Sequence, residues 1–450
     1  MKRKTFIRHS SVILAGGLLS PYWSCTPRKP NHEMPSNVRT NWAGNYSYKA
    51  PHLHEPTDLQ EVQRLVQTLP KQKALGSRHC FNNIADSPEH QVSLKNLKEV
   101  NLDTENKTIT VQAGARYGDF CESLHQQGLA LHNLASLPHI TVAGACATAT
   151  HGSGVKNGNL ATAVKQVELI TPSGEFVTIG RDHVDYPAVV VGLGAFGIIT
   201  RVTLDIQDTY DVEQYVFQDM PLSSVENNFM EVMSAGYSVS LFTNWLNKSI
   251  SEVWVKRRSD QSYNSLGTDF FGATAAKRNL HPIADLSAEA CTEQLGVPGP
   301  WYNRIPHFKM GFTPSAGAEL QSEYFVPMDN AVEAILALER MREEINPHLM
   351  ITEVRTIAKD GFWMSPCFNQ NSAAIHFTWK QHPQEVMALL PKIERELSGF
   401  NVRPHWGKLF TISKQTLTER YPMSGEFKKL ATMYDPDGKF MNQYLNQNLF

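Results

Sequence analysis

Paired cysteines, charge blocks and long apolar runs are all scarce in this chain. Beyond the N-terminal segment only five cysteines remain, Cys80, Cys121, Cys146, Cys291 and Cys367. Their odd number and the lack of any Cys-x-x-Cys spacing exclude a disulfide framework and a thiolate metal site, so each is expected as a buried thiol. The formal charge is -2, from 42 Lys and Arg against 44 Asp and Glu, with no basic or acidic tract. That balance argues against a dedicated nucleic-acid surface. The apolar run Val12 to Leu19 is too short to cross a bilayer, and no transmembrane segment is expected. No repeat at a fixed period and no low-complexity tract occurs. A Gly-x-Gly-x-x-Gly turn between strand and helix is missing near the start, which excludes a Rossmann fold. Gly192-x-Gly194-x-x-Gly197 has the spacing but follows an apolar stretch and feeds a strand. His52-x-His54 has no Cys or carboxylate support and reads as a surface loop, so no metal site is expected.

The composition that is present is globular: 41% hydrophobic and 19% charged over 450 residues. That length predicts two domains and a substantial core. Residues 1–27 read as a leader peptide, with Lys2, Arg3, Lys4 and Arg8 ahead of the run Val12 to Leu19. Arg3 to Arg8 resembles a twin-arginine export signal whose second Arg is Lys, and Cys25 offers a lipid-attachment alternative. The expected location is therefore exported, periplasmic or lipid-anchored to a bacterial envelope, or cytoplasmic if the leader does not function.

One glycine- and alanine-rich passage, Asn133 to Gly154, organises the rest. Such a run lets backbone wrap closely around a ligand and offers amide and hydroxyl donors to a large anion. A Gly/Ala-rich helix–sheet contact is the structural alternative. Upstream, Asp58 opens an amphipathic helix with Leu59, Val62, Leu65 and Val66 on one face. A short strand, Lys73 to Leu75, then runs into the turn Gly76-Ser77-Arg78-His79-Cys80. Strands follow near Val92, at Leu97 to Leu102 and at Thr108 to Ala113, then a helix from Tyr117 to Gln127 capped at Gly128. Strands at Val164 to Thr171, Glu175 to Ile179 and Ile198 to Ile206 complete an α+β unit.

The second half begins with long alternating strands at Ser238 to Trp245 and Glu252 to Arg257, followed by irregular chain from Ser259 to Leu295. An ordered series then predicts β-α-β-β-α-β: strand Leu320 to Val326, a helix capped by Asp329 and running to Ile345, strands Met350 to Ile357 and Ala373 to Lys380, a helix from Gln384 to Leu397, and strand Arg403 to Phe410. This is a ferredoxin-like split sheet. Alternation places Glu353 with Arg355, and His376 with Thr378, on one polar face, while Ile375, Phe377 and Trp379 face the packing helices. A solvated sheet face with ion pairs is the alternative to a ligand roof.

The order GSRHCF, NLASLPHITVAG, ATATHGSG and GLGAFGIIT resembles the flavin domain of the vanillyl-alcohol oxidase superfamily. CTEQLGVPGPW, GAELQSEY, ITEVRT, AIHFTW and RPHWGK resemble the substrate domain of its alditol oxidase and sugar-1,4-lactone oxidase branch. The resemblance runs from about Asn41 to Asn442. It implies an α+β fold of two domains, a PCMH-type FAD-binding domain at 41–210 and a ferredoxin-like substrate (cap) domain at 211–415, with 416–450 returning to the first. It implies FAD held by Ala74, Leu75, Gly76, Ser77, Arg78, His79, Cys80, Ser136, Thr141, Gly144, Ala145, Cys146, Ala147, Thr148, His151 and Ile198. His79 occupies the position of covalent attachment; Arg78 and Cys80 replace the family's Gly and Ser. His139 and His151 read as structural members of the flavin loops.

By the same resemblance Ser136, Gln321, Glu353, Arg355, Thr378 and Lys408 contact a polyol. Arg355 and Lys408 would favour alkoxide character at the reacting hydroxyl, and His376 or Lys408 would receive its proton. Glu353-Val354-Arg355 with Ser136 favours oxidation of a terminal CH–OH of an alditol to an aldehyde, with O2 reduced to hydrogen peroxide. Ala135 leaves room for oxygen. An aldonolactone oxidase or dehydrogenase is the neighbouring reading, because His405-Trp-Gly-Lys408 recurs in both. An exported flavin- or sugar-binding protein without turnover, motivated by Arg78, is the reading from another class. The oligomeric state is left open, with a monomer compatible.

Overall fold

A computed structural model describes residues 39–450; the leader read in 1–27 lies outside the described residues. Helix Leu59–Thr68 forms as its apolar spacing predicts, burying Val62 and Val66, with the Asp58 carboxylate accepting the Glu61 amide at its N-terminus. It leads into a three-stranded parallel sheet, with His90–Ser93 between His52–His54 and Gln72–Leu75. Leu129–Ala130 and Gln207–Asp208 form a small antiparallel pair, and the other strands of the first half form a five-stranded antiparallel sheet. Its order is Val100–Asp103, Thr108–Gln112, Ile198–Asp205, Val164–Ile170 and Phe176–Gly180. Helix Tyr117–Gln126 buries Tyr117, Phe120, Cys121 and Leu124 and ends at Gly128, whose φ of 78° a glycine adopts without strain.

The second half is one large antiparallel sheet. The expected split motif is present, in the order Leu349–Ile357, Ser372–Trp379, Leu320–Pro327, Arg403–Pro404. Beside it lies a second β-α-β-β unit that was not among the expected elements. Strand Asp211–Pro221, helix Leu222–Met233, strand Ser238–Thr243 and strand Ser249–Arg258 pair in the order first, third, second, the same order as in the split motif. The two units meet edge to edge where Leu241, Phe242 and Thr243 pair with Val354, Glu353 and Thr352. Helices Leu222–Met233, Ala331–Arg340 and Pro383–Glu396 bury Val225, Ile335, Leu338, Leu390 and Ile393 in one core with Ile375, Phe377 and Trp379. The opposite face of the sheet is left to cover a cavity.

Three local expectations change. Asp329 does not cap a helix: Met328–Asn330 is a 3-10 turn, and helix Ala331–Arg340 starts from Asn330 without a side-chain cap. Strand Arg403 to Phe410 is regular only at Arg403–Pro404. His405 and Leu409 still donate their amides to the Glu323 and Gln321 carbonyls at 3.0 and 2.9 Å, so Trp406-Gly407-Lys408 bulges out of the ladder. The irregular stretch from Ser259 to Leu295 contains two short strands, Asp269–Phe270 and Ala273–Ala275, at the sheet edge.

Candidate active site

The loop that follows strand Gln72–Leu75 and the turn at Lys408 are joined by one backbone bond and two from the Asn82 side chain. Phe81 donates its amide to the Gly407 carbonyl at 2.7 Å, and Asn82 Nδ2 donates to the Trp406 and Lys408 carbonyls at 2.8 Å each. A Cβ on Gly407 would come within 3.1 Å of Cys80 Sγ, so glycine sets how near the two loops approach. His79 packs against Trp42 with ring centroids 4.5 Å apart and the planes tilted by 37°. Burial, and then the neighbouring Lys408 and His139, push its imidazole down to about 3, so it is neutral at physiological pH. Burial alone raises the Cys80 thiol to about 12 and keeps it protonated.

Behind these loops runs a long cavity lined by Lys73 through Cys80, by Thr141, Gly144, Ala145, Ala147, Thr148 and His151, and by Leu193, Gly194, Gly197 and Ile199. Its donors are available. Among the described residues the amides of Ser77, Arg78, His79 and Cys80 have no protein acceptor, and the buried Thr141 Oγ1 has no hydrogen-bond partner. Gly76 and Gly144 flank that hydroxyl so closely that a Cβ on either would stand 2.7 or 2.9 Å from it. Unpaired donors in a cradle that side chains would fill suit a pyrophosphate. The residues present therefore fit FAD. Of the sixteen residues expected to hold it, fourteen line the cavity; Cys146 and Ile198 do not. Cys146 turns into the core, its Sγ 4.0 Å from the Tyr117 hydroxyl. Ile198 points away because strand side chains alternate, leaving Gly197 and Ile199 facing the cavity.

The large sheet roofs the far end of this cavity. Glu323, His376 and Glu353 stand directly opposite one another on three neighbouring strands, with Phe242 next in the row. Gln321 and Thr378 pair in the adjoining row. Together with Ser136, Arg355 and Lys408, all of them line the cavity. Every substrate and catalytic residue expected from the sequence is thus brought into one place.

The hub of the roof was not among the expected residues. Glu323 is 1% exposed and takes Arg355 Nη2 on Oε1 at 2.7 Å and Lys408 Nζ on Oε2 at 2.7 Å, with His151 Nε2 at 3.3 Å. Burial alone would raise its carboxyl, but Lys408, His151 and Arg355 overrule it and hold it well below the usual carboxylate range. Arg355 Nη1 donates to Ser136 Oγ at 3.1 Å, and its Nε lies 3.5 Å from Glu353 Oε1. Glu353 is likewise held low against its burial, by Arg355 and His307. His376 is pushed well down by burial and then by Lys408, and its buried Nε2 has no hydrogen-bond partner among the described residues. The signal for Glu323 was available, since it lies two residues from Gln321 on the same strand face. Trp42 gave none.

Loops that fit an anionic dinucleotide, beside a roof of buried carboxylates, cations and a neutral imidazole, are the arrangement of an FAD-dependent oxidoreductase. Two family models match: an FAD-binding domain over residues 50–180 and D-arabinono-1,4-lactone oxidase over residues 317–448. An alditol oxidase of Streptomyces sp. is 43% identical over 418 residues, spanning 92% of this chain and 99% of its own length. An L-gulono-1,4-lactone dehydrogenase of Mycobacterium tuberculosis is 26% identical over 436 residues, spanning 92% and 99%. Among solved structures, a cholesterol oxidase from B. sterolicum superposes with a TM-score of 0.74 at 14% identity, covering 94% of this chain and 100% of its own, which is a likeness of fold. The chain belongs to the alditol oxidase family of vanillyl-alcohol-oxidase-type flavoproteins.

Proposed function

We propose that this enzyme oxidises the terminal CH–OH of an alditol such as xylitol or sorbitol to the aldehyde, with O2 as electron acceptor and hydrogen peroxide as co-product. The single observation that carries the reading is the roof: two buried ionised carboxylates, Glu323 and Glu353, bridged by Arg355 and flanked by Ser136, Thr378, Gln321 and Lys408. An open-chain polyol presents a hydroxyl on every carbon, and each buried hydroxyl needs both a donor and an acceptor. The identity to an alditol oxidase supports the same choice.

FAD, when bound, supplies the acceptor for the hydride that leaves carbon. The protein's own residues handle the oxygen. Lys408 and Arg355 are cations fixed by Glu323, and they favour negative charge on the reacting hydroxyl. Lys408 Nζ is engaged at 2.7 Å by a carboxylate, whereas His376 is neutral with a free Nε2. His376 is therefore the better proton acceptor and Lys408 the electrostatic partner. Glu353, Thr378 and Ser136 orient the hydroxyls further along the chain. The neutral His79 imidazole, facing the cavity beside unpaired amides, supports covalent attachment of the flavin.

The test is a visible spectrum of the purified holoenzyme taken anaerobically with xylitol, then with L-gulono-1,4-lactone. Bleaching by xylitol and reoxidation by air with peroxide formed is expected. Bleaching by the lactone alone would move the assignment to a lactone oxidase or dehydrogenase, which the match of 317–448 to the lactone oxidase model favours. Flavin that stays in an acid pellet from wild type and is released from His79→Ala would show the covalent link; release from both would refute it.

A further inference from the structure

Lys256 stands on strand Ser249–Arg258, on the same sheet face as Phe242 but one strand further from the roof. It is 1% exposed and has no carboxylate within ion-pair distance among the described residues. An ammonium has three donors and no acceptor, and burying one without partners is costly. All three donors are used here: the Ile305 carbonyl at 2.6 Å, the Pro306 carbonyl at 3.1 Å and His307 Nδ1 at 3.1 Å. Burial lowers Lys256 to about 7, but the ionised Glu353 carboxylate beyond His307 can only accept, so the one proton of the neutral imidazole lies on Nε2 and Nδ1 accepts from Lys256 Nζ. Nε2 stands 2.8 Å from Glu353 Oε1 and donates to it. The reverse arrangement, a neutral lysine accepting from Nδ1–H, would turn the Nε2 lone pair against an ionised carboxylate.

The His307 ring has little freedom to do otherwise. It is packed edge-on against Trp254 at 5.1 Å, Phe242 at 5.6 Å and Phe308 at 6.3 Å. The segment Lys256 grips also reaches the site by a second route. The amides of His307 and Phe308 both donate to the Ser136 carbonyl, at 2.8 and 3.1 Å, and Ser136 Oγ receives Arg355.

We propose that Lys256 is a positioning residue for polyol binding: it fixes the tautomer of His307 and, through it, the orientation of the Glu353 carboxylate, while its hold on residues 305–307 sets the place of Ser136. This rests on the reading that Glu353 binds substrate hydroxyls. A carboxylate that orients hydroxyls remote from the reacting carbon binds ground and transition states alike, so its misplacement raises KM and leaves kcat near its wild-type value.

The experiment compares the holoenzymes of wild type, Lys256→Met, His307→Gln and Glu353→Gln, each checked for wild-type flavin content and spectrum. Glu353→Gln is expected to raise KM for xylitol; no change there would refute the substrate role of Glu353 and with it the premise. With that premise standing, Lys256→Met is expected to raise KM roughly tenfold or more, the size of losing a hydrogen bond to a charged group. His307→Gln, whose amide N–H can still donate to Glu353, should stay within a few-fold of wild type. In the double variant Lys256→Met/Glu353→Gln the two effects should not add. Unchanged KM in Lys256→Met, or full additivity, would overturn the proposal. Should Lys256→Met fail to fold, nitrogen-15 NMR of histidine-labelled wild type decides, with His307 assigned by its loss in His307→Gln. A protonated Nε2 and bare Nδ1 support the proposal, and the opposite tautomer refutes it.

Discussion

Arg78 has a φ of 63°, in the left-handed region that glycine enters freely and other residues enter at a cost. Among the described residues its guanidinium makes only a long contact, Nη1 to the Thr40 carbonyl at 3.4 Å, while the position is pinned by the Trp42 amide on its carbonyl at 2.8 Å. The backbone therefore explains why glycine suits this place in the resembling loops, and why an arginine here leaves the loop's shape intact. Arg78→Gly is expected to change stability by no more than about 1 kcal/mol, since relief of strain offsets the extra freedom of the unfolded chain. Flavin content should stay at the wild-type level. A larger loss in a denaturant titration would mean that the guanidinium itself holds the loop. Glu323 is the opposite case, a residue whose charge matters more than its shape. Glu323→Gln removes the one negative charge shared by Arg355 and Lys408 and leaves two buried cations facing each other. The expected result is a fall in kcat/KM of at least about 100-fold, or about 2.7 kcal/mol of transition-state stabilisation, with flavin still bound. Steady-state kinetics with xylitol checks it. Most of the roof was legible because strand alternation and motif resemblance both point at Glu353, Arg355, His376 and Thr378. Lys256 and His307 were not, because they act through Glu353 from segments whose local pattern reads as ordinary strand and loop.

At the scale of elements, the C-terminal segment shows how short pieces position the flavin loops. Asn442 caps helix Gln443–Asn448 through Oδ1, and its Nδ2 donates to the carbonyls of Asn83, Ile84 and Asp86, at 3.3, 2.9 and 2.8 Å. Those carbonyls belong to the chain that leaves His79 and Cys80. Lys73, fully buried and donating to the Leu193, Gly194 and Phe440 carbonyls, ties the same segment to the glycine loop at Gly192 to Gly197. Asn442→Ala is expected to cost about 2 kcal/mol, combining a lost cap with buried acceptors left unpaired. Differential scanning calorimetry would show it as a fall in Tm, and a Tm within error of wild type would remove the segment from this role. The long strands and amphipathic helices were readable because burial imposes a period of two or of 3.6 on their residues. The β-α-β-β-α-β series of the split motif was readable for the same reason, while its strand order is set by pairing that periodicity does not carry. The bulge at Trp406-Gly407-Lys408 was not, because alternation continues through it while the backbone leaves the ladder to seat the Trp406 indole on the Met364 carbonyl at 2.6 Å. The second β-α-β-β unit escaped because helix Leu222–Met233 carries Asn227 and Asn228 in mid-course, with Asn228 at non-helical φ and ψ.

Across the whole molecule the two sheets do not keep separate interiors. Val167, Ile198 and Val202 of the five-stranded sheet belong to the same buried cluster as Val239, Val354 and Ile375 of the large one. Backbone also crosses between them, with the Gly154 amide on the Thr356 carbonyl at 2.8 Å and the Ala358 amide on the Asn157 carbonyl at 2.9 Å. A shared core and a cavity walled by both halves make unfolding of one half expose the other, so loss of structure should be cooperative. Acid is the perturbation that tests this best. Burial lowers His132, His281 and His307 from 6.5 to about 4 each, and lowers His151, His376 and His405 as well. A group whose folded pKa is depressed contributes stability above its unfolded value and loses it as pH falls toward the folded one. Glu252 and Asp360 act in the other sense, raised by burial to about 7 and about 6, and they gain as pH falls through those values. His54, His79, His90 and His139 are lowered too, and Glu319 and Glu394 are raised, so ten histidines stand against four carboxyls; with the histidines spread over loops and sheets of both halves, the balance is a net loss of stability between pH 6.5 and 4. Below about 4.5 the depressed Glu323 and Glu353 carboxyls add to it, since they too are stabilising only while ionised. The expected outcome is a Tm that falls steadily as pH is lowered from 6.5. Flavin fluorescence, which reports the cavity, and far-UV circular dichroism, which reports both sheets, should give one midpoint at each pH. A Tm flat across that range would show that the buried histidines titrate as they do in water. Two separated midpoints would show that each half keeps its fold without the other, and the shared core could not then be what holds the roof over the flavin loops.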